Sequence, residues 1–272
     1  MKNILIPTDF SDYAWNALLF ALELFRGQSL SLHILHTIPN DTHSSTTTER
    51  QLNSSEAKTA MRALQQKIYA ETPHADYRVC SLIRRGKLVD SIRNEVEERK
   101  IDLIVMGSKG QSGKYHQSIG KHTADVIHKV QCTTLVIPER AQFSPINNIA
   151  LPTDFSIYLG PKILTTLTYF SKLCKATVQV FHLKKSFVDL VEDQRENREN
   201  LKEFLSDIPH DFHEVSSKEM DLSIQKCIEE HDIKLIAMVA KNIYFFQQLF
   251  FNTETDQLAY RQKIPFLVLH DR

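Results

Sequence analysis

The sequence predicts an α/β protein built twice from the same plan, a five-stranded parallel sheet with helices on both faces. Three observations carry this. Short apolar runs alternate with longer segments whose apolar residues recur at helical spacing. The alternation restarts near the middle of the chain, with the same residues at its head. Each half supplies five strand-like runs and four helix-like ones, and parallel strands need such crossovers. At 272 residues there is ample chain for one or two domains with a sizeable core.

Taken in order, Asn3–Ile6 reads as a buried strand closed by Pro7-Thr8-Asp9-Phe10-Ser11. Ser11 is a natural cap for a helix over Asp12–Phe25, where Ala14, Ala17, Leu18, Ala21, Leu22 and Phe25 share one face, and Gly27 ends it. Leu30–His36 is the second strand, and residues 40–48 form a Ser/Thr-rich loop. A helix from about Arg50 to Glu71 leads to a strand over Tyr77–Ile83, a helix over Leu88–Glu98 and a strand over Ile101–Met106. A helix over Lys121–Lys129 and a last strand over Thr133–Ile137 complete the half.

Ile149-Ala150-Leu151-Pro152-Thr153-Asp154-Phe155-Ser156 matches Ile4 to Ser11 in six of eight positions, at an offset of 145. Phe181-His182 answers Leu35-His36, Lys234–Met238 answers Asp102–Met106, and Phe266–Leu269 answers Thr134–Ile137. The chain reads as a tandem duplication. Its expected domains are 1–140 and 146–272, with the boundary near Arg140–Pro145.

Between the fourth strand and its helix lies Gly107-Ser108-Lys109-Gly110-Gln111-Ser112-Gly113-Lys114-Tyr115-His116-Gln117-Ser118-Ile119-Gly120. The chain has seven glycines and four are here. A strand, a glycine-rich loop and a helix start bring backbone N–H groups to face an anion, usually a phosphate. The plainer reading is a tight turn whose glycines permit positive φ, for which one glycine suffices. The loop is not a Walker A motif, because Gly113-Lys114 is followed by Tyr115 and no glycine stands five positions before Gly113. The second half loses these glycines: Gly107-Ser108-Lys109-Gly110 becomes Val239-Ala240-Lys241-Asn242, and Gly120 becomes Asn252. Tyr244, Phe245, Phe246, Phe250 and Phe251 appear there instead and read as core or interface. No phosphate site is expected in that half.

The repeated Pro-Thr-Asp-Phe-Ser, the histidine at the end of the second strand and Met106-Gly107-Ser108-Lys109-Gly110 with Gly120 resemble a universal stress protein with two fused domains. The resemblance spans essentially the whole chain. It implies a flavodoxin-like sheet, of the adenine-nucleotide α-hydrolase type, in each half. The ATP-binding branch of that family carries G-x-x-G, nine residues, then G-[S/T]. Gly107, Gly110 and Gly120 fit this pattern, whereas Lys121 stands where Ser or Thr is usual. The resemblance implies a site from Pro7-Thr8-Asp9, with Asp9 near the ribose, and from Thr37, whose backbone reads adenine. It places Gly107, Gly110, Gly120 and the following helix start on the phosphates, and the neighbouring Met106, Lys109, Lys121, His122 and Thr123 belong to the same candidate set. The implied ligand is ATP, or AMP or ADP, in the first domain, with Mg²⁺ as an optional companion.

The remaining features narrow the function. Asp9 and Asp154 each precede a helix, where a carboxylate is stabilised by the dipole whatever else it does. His33, His36, His116, His122 and His128 make no ligand set with carboxylates or cysteines, and no Ser–His–Asp or Cys–His grouping stands out. The mixed charges from Glu192 to Glu199 read as a solvated helix face. The balance of 33 basic and 33 acidic residues argues against a nucleic-acid binder. The four cysteines are scattered as reduced thiols would be, no apolar run approaches a membrane span, and the strand pattern beginning at once predicts no signal peptide. The expected protein is a cytoplasmic, stress-responsive nucleotide-binding module that acts through a protein partner or as a homodimer. The alternatives are a slow ATPase or phosphotransferase using the same loop, and a ligand-free tandem scaffold.

Overall fold

The computed structural model describes residues 1–40, 52–73, 76–109, 119–184, 189–216, 226–241 and 263–271. The chain forms two compact units, Met1–Phe143 and Ser144–Arg272. The expected helix start near Arg50, the stretch Gly110–Ser118 and the aromatic residues from Tyr244 to Phe251 lie outside the described residues.

In the first unit the order is β1 (Asn3–Pro7), α1 (Asp12–Leu24), β2 (Leu30–Ile38), α2 (Ser54–Glu71), β3 (Tyr77–Arg85), α3 (Leu88–Glu98), β4 (Leu103–Gly107), α4 (Lys121–Lys129) and β5 (Thr134–Ile137). The strands lie side by side as β3-β2-β1-β4-β5, all parallel. Ile4 is in register with both Ser31-flanked Leu32 of β2 and Leu103 of β4, so β1 is paired on both edges and wholly buried in its centre. The chain leaves β1 in one direction through β2 and β3, then returns to its other side for β4 and β5. That reversal puts the carboxyl ends of β1 and β4 beside each other, which is where open α/β sheets bind ligands.

Strand alternation divides the core into two layers. Leu5, Leu35, Leu82, Ile104 and Met106 face one way and meet Ile92 and Val96 of α3 and Val126 of α4 in one buried cluster. On the other face α1 packs against β4 and β5, and α2 packs against β3. α1 buries Ala14, Ala17, Leu18, Ala21 and Leu22, the stripe that the sequence marks, and Ser11 caps it by accepting a bond from the Ala14 N–H at 3.2 Å. α2 opens with a capping box in which Asn53 and Glu56 satisfy each other's backbone N–H groups. The Lys67 ammonium of α2 lies 3.7 Å over the ring of Trp15 on α1, the chain's single tryptophan.

The second unit repeats the plan with β6 (Asn148–Thr153), α5 (Pro161–Cys174), β7 (Thr177–Lys184), α6 (Glu192–Leu205), β8 (His210–Ser216), β9 (Leu235–Val239) and β10 (Phe266–Leu269). Residues 226–230 are also helical. Its strands lie in the order β8-β7-β6-β9-β10, again all parallel. α6 is the solvated helix that its alternating charges predict, burying only Leu201 and Leu205. One difference is local. In repeat register α1 begins at the position of Ile157, but α5 begins four residues later at Pro161, capped by Gly160.

Ile104 is fully buried in the α3-facing cluster. Ile104→Ala is expected to cost about 2–5 kcal/mol through lost contacts and a residual cavity. Urea unfolding followed by Trp15 fluorescence measures it within the same unit.

Candidate functional site

At the end of β1 the chain makes a turn that sequence reasoning assigned partly to ligand binding. The Thr8 N–H bonds to Leu35 O at 2.8 Å, extending the sheet by one residue. The Thr8 hydroxyl then accepts from the Phe10 N–H at 3.0 Å, and Phe10 sits in the left-handed region with φ of 63°. A non-glycine residue in that region is strained unless its surroundings enforce it. Here the Phe10 ring packs on His36 with centroids 4.6 Å apart. His36 in turn donates from Nδ1 to Thr8 O at 2.8 Å; since the carbonyl only accepts, that nitrogen carries the proton.

The N-cap of α1 is Ser11, as the sequence suggests, and Asp9 supports it. The Asp9 Oδ1 accepts from both the Ser11 N–H at 3.0 Å and the Ser11 hydroxyl at 2.5 Å, and Ser11 does the capping. The carboxylate fixes the capping residue rather than the helix directly. The second unit has the same arrangement. Asp154 Oδ1 accepts from Ser156 N at 3.0 Å and Ser156 Oγ at 2.6 Å, the Thr153 hydroxyl accepts from Phe155 N at 2.9 Å, and Phe155 has φ of 58°. The Phe155 and His182 rings are 4.8 Å apart. The Pro-Thr-Asp-Phe-Ser motif with its distant histidine is therefore a clasp that both units use to end their first strand.

β4 runs out beside this clasp. The Ser108 N–H continues its pairing with β5 through Ile137 O at 2.8 Å. The far end of the glycine loop returns to the same spot, with the Gly120 N–H on Ser108 O at 2.7 Å and the Thr123 hydroxyl on Gly107 O at 2.8 Å. Gly107 and Gly120 differ in kind. A Cβ on Gly107 would lie 3.0 Å from Lys109 O and 3.2 Å from Tyr13 O, tight enough that the neighbouring backbone would have to give by a few tenths of an ångström. Val239 replaces it in the second unit, where the delayed start of α5 removes the turn equivalent to Tyr13. A Cβ on Gly120 would meet only ordinary contacts, 3.4 Å from Ser108 O, and its φ of −72° suits any residue. Among the described residues, neither the backbone nor the packing requires glycine there.

Gly120 is the N-cap of α4, and no side chain caps that helix. The first turn holds Lys121 and His122, both exposed, and no acid. This reverses the usual arrangement, in which carboxylates sit at the positive end of a helix. Thr123 is buried and spent on Gly107 O. Lys109 points elsewhere. Its ammonium lies 3.9 Å from Glu139 after β5, and the Tyr13 hydroxyl donates to the same carboxylate at 3.5 Å. Lys241 and Asp271 repeat that pair at 3.5 Å in the second unit, at identical repeat positions. Thr37 lies on β2 two residues past the last β1 pairing, Pro7↔Leu35, with its backbone on the edge that faces the end of β1. Pro7 and Met106 are buried strand residues that carry the two strand ends into place. Pro7, Thr8, Asp9, Thr37, Met106, Gly107, Lys109, Gly120, Lys121, His122 and Thr123 thus gather at one end of the first sheet; Gly110 lies outside the described residues.

The model of the universal stress protein family matches residues 1–138, half of the chain. The chain belongs to the universal stress protein family. Among solved structures, a universal stress protein from Archaeoglobus fulgidus DSM 4304 matches over 98% of each chain at 15% identity with a TM-score of 0.68. A protein of unknown function from Pseudomonas aeruginosa PAO1 matches over 99% of this chain and 92% of its own at 15% identity, with a TM-score of 0.60. At such identities the likeness is one of fold, and it extends through both units of this universal stress protein. A universal stress protein in complex with cAMP matches over 50% of this chain and 96% of its own, with 21% identity and a TM-score of 0.37. The cyclic nucleotide is that protein's ligand. A search of curated proteins returned no match.

Two features escaped sequence reasoning. The lysine–acid pair was hidden because Glu139 and Asp271 differ in type and lie about 30 residues from their lysines. In the second unit Gln194 and Asn197 of α6 donate to Asp154 O at 2.8 Å and Phe155 O at 2.9 Å, binding the clasp from above; their positions gave only a polar helix face. The clasp itself yields a test. Thr8→Val and Thr153→Val should each destabilise the ligand-free protein by about 1–3 kcal/mol, the cost of stranding a backbone N–H. Urea midpoints monitored by circular dichroism check this, and a loss for Thr153→Val alone would contradict a shared structural role.

Proposed function

We propose that the first unit binds an adenine nucleotide, ATP foremost, and that the protein acts as a nucleotide-dependent regulatory or interaction module. The observation that carries the reading is the start of α4. Among the described residues, this helix lacks a side-chain cap, begins with a glycine whose φ suits any residue, and places Lys121 and His122 in its first turn, which suits an anion. It opens beside the paired ends of β1 and β4, at the reversal of strand order. In this reading Gly107 and Gly120, with Gly110 from the intervening loop, let the backbone approach the phosphates. Lys121 supplies the point charge that replaces the hydroxyl usual in the family. Asp9 faces the ribose while it holds Ser11, and the Thr37 backbone reads the adenine edge. Lys109 is shared between Glu139 and the phosphates, and Mg²⁺ accompanies the ligand as a triphosphate requires.

The second unit binds no nucleotide. Val239 ends β9 and Ala240 follows it where Gly107 ends β4 and Ser108 follows, and amide side chains of α6 hold its clasp.

Calorimetry with ATP tests the assignment. Gly110→Val should abolish binding, whereas Asn242→Val should leave it unchanged; equal behaviour of the two variants sinks the proposed asymmetry. Lys121→Glu separates ligand from fold. A carboxylate at that helix start should raise stability by about 0.3–1 kcal/mol. The same substitution should weaken ATP binding at least about tenfold by repelling phosphate. Retained affinity alongside the gain in stability would leave the helix start without a phosphate.

A further inference from the structure

The first unit contains a buried histidine that no nucleotide-binding role uses. His33 on β2 is 5% exposed, and neither ring nitrogen has a hydrogen-bond partner. It is in register with Leu5 of β1 and Cys80 of β3, and alternation turns it toward α3 with Leu35. A charged cluster lies on that same face, and its Glu95 and Arg99 act on the imidazole through space. Glu95 of α3 is 1% exposed, and its two oxygens are taken by Arg84 Nε of β3 and Arg99 Nε at the end of α3, each at 2.5 Å. The groups facing His33 are thus Arg78, Cys80 and Arg84 from β3 and Glu95 and Arg99 from α3; β1 offers only Leu5.

We propose that His33 and the Arg84–Glu95–Arg99 bridge form an acid-sensitive latch that holds α3 on the first sheet while the imidazole is neutral and loosens when it is protonated. The cluster already balances its one carboxylate against two guanidinium groups. A third cation inside it has no free carboxylate to pair with, and burial denies it water. Orphaned polar nitrogens in a core are uncommon and call for a reason. A histidine whose neutral form fits and whose charged form does not supplies one.

The duplicate shows that the fold does not need a titrating group at this position. In repeat register His33 becomes Gln179, which is fully bonded: its amide nitrogen donates to Asn148 Oδ1 at 3.2 Å and Asp211 Oδ2 at 3.1 Å, and His213 Nε2 donates to its oxygen at 2.5 Å. Glutamine is therefore a natural occupant of that place in the sheet.

Burial pulls the His33 imidazole below its ordinary value, Arg99 and Arg78 pull the same way, and Glu95 opposes them. With the folded value lowered, the unfolded chain takes up the proton first as pH falls. The contribution of His33 to stability is complete above about pH 6.5 and is lost progressively below it.

The test uses the full chain and Trp15, which reports on the unit that holds His33. Urea unfolding of the wild type and of His33→Gln is compared at pH 7.5 and pH 5.5. Acidification should raise the unfolding equilibrium constant of the wild type by up to about tenfold more than that of the variant. An equal pH response in both proteins overturns the proposal. Should His33→Gln fail to fold, the imidazole resonance of His33 in the wild type decides by NMR titration. A midpoint clearly below 6.5 supports the latch, and one at or above that value overturns it.

Discussion

The left-handed turn at Phe10 is the constraint on which the carboxyl end of the first sheet depends. It breaks β1 while keeping Thr8 bonded to β2, aims α1 back along the sheet, and brings the Tyr13 carbonyl to 3.2 Å from where a Cβ on Gly107 would stand. Such a backbone costs about 1–3 kcal/mol and persists only where its neighbours over-determine it. Here they do, through the Thr8 hydroxyl, the His36–Thr8 hydrogen bond and the Phe10–His36 stack. The second unit spends the same residue types on the same turn.

Duplication makes it possible to separate what the fold needs from what a ligand needs. The clasp, the Asp–Ser hydrogen bonds and the lysine–acid pair after the fourth and fifth strands occur in both units, although only Ser11 goes on to cap a helix. They belong to the architecture. The N-cap Gly120 and the basic first turn of α4 belong to the first unit's own chemistry, because among the described residues no packing calls for them and Asn252 stands in place of Gly120 in the second unit. Gly107 stands between the two classes: its neighbours leave little room for a side chain, and the absence of one leaves its backbone approachable. The cysteines stand outside both. Burial pushes the Cys174 and Cys227 thiols up to about 11, which leaves them protonated and poorly nucleophilic.

The alternation of strands and helices was readable because each element announces itself by period and punctuation. Leu88–Glu98 and Lys121–Lys129 are the ranges that periodicity predicts, and α1 and the first strand agree within a residue or so. β2 and β3 run two residues further than their apolar runs, because Thr37-Ile38 and Arg84-Arg85 pair with each other at the rim of the sheet. The candidate site was legible as a set of residues and less so as roles. Ser11 was legible as the cap of α1, but only the geometry shows the Asp9 carboxylate holding its hydroxyl and N–H. The cluster around His33 was invisible for a related reason. His33, Arg84, Glu95 and Arg99 come from three elements, and no spacing along the chain records that they converge.

The delayed start of α5 matters beyond its length. Four residues at 1.5 Å each withdraw the helix from the strand ends by about 6 Å, and the partial positive charge of a helix terminus fades within a turn. Among the described residues the Asp271 carboxylate stands beside Gly160, its Oδ1 2.8 Å from where a Cβ would be. The two first helices thus start from different surroundings: α1 from a hydroxyl cap, α5 from beside a carboxylate of its own unit.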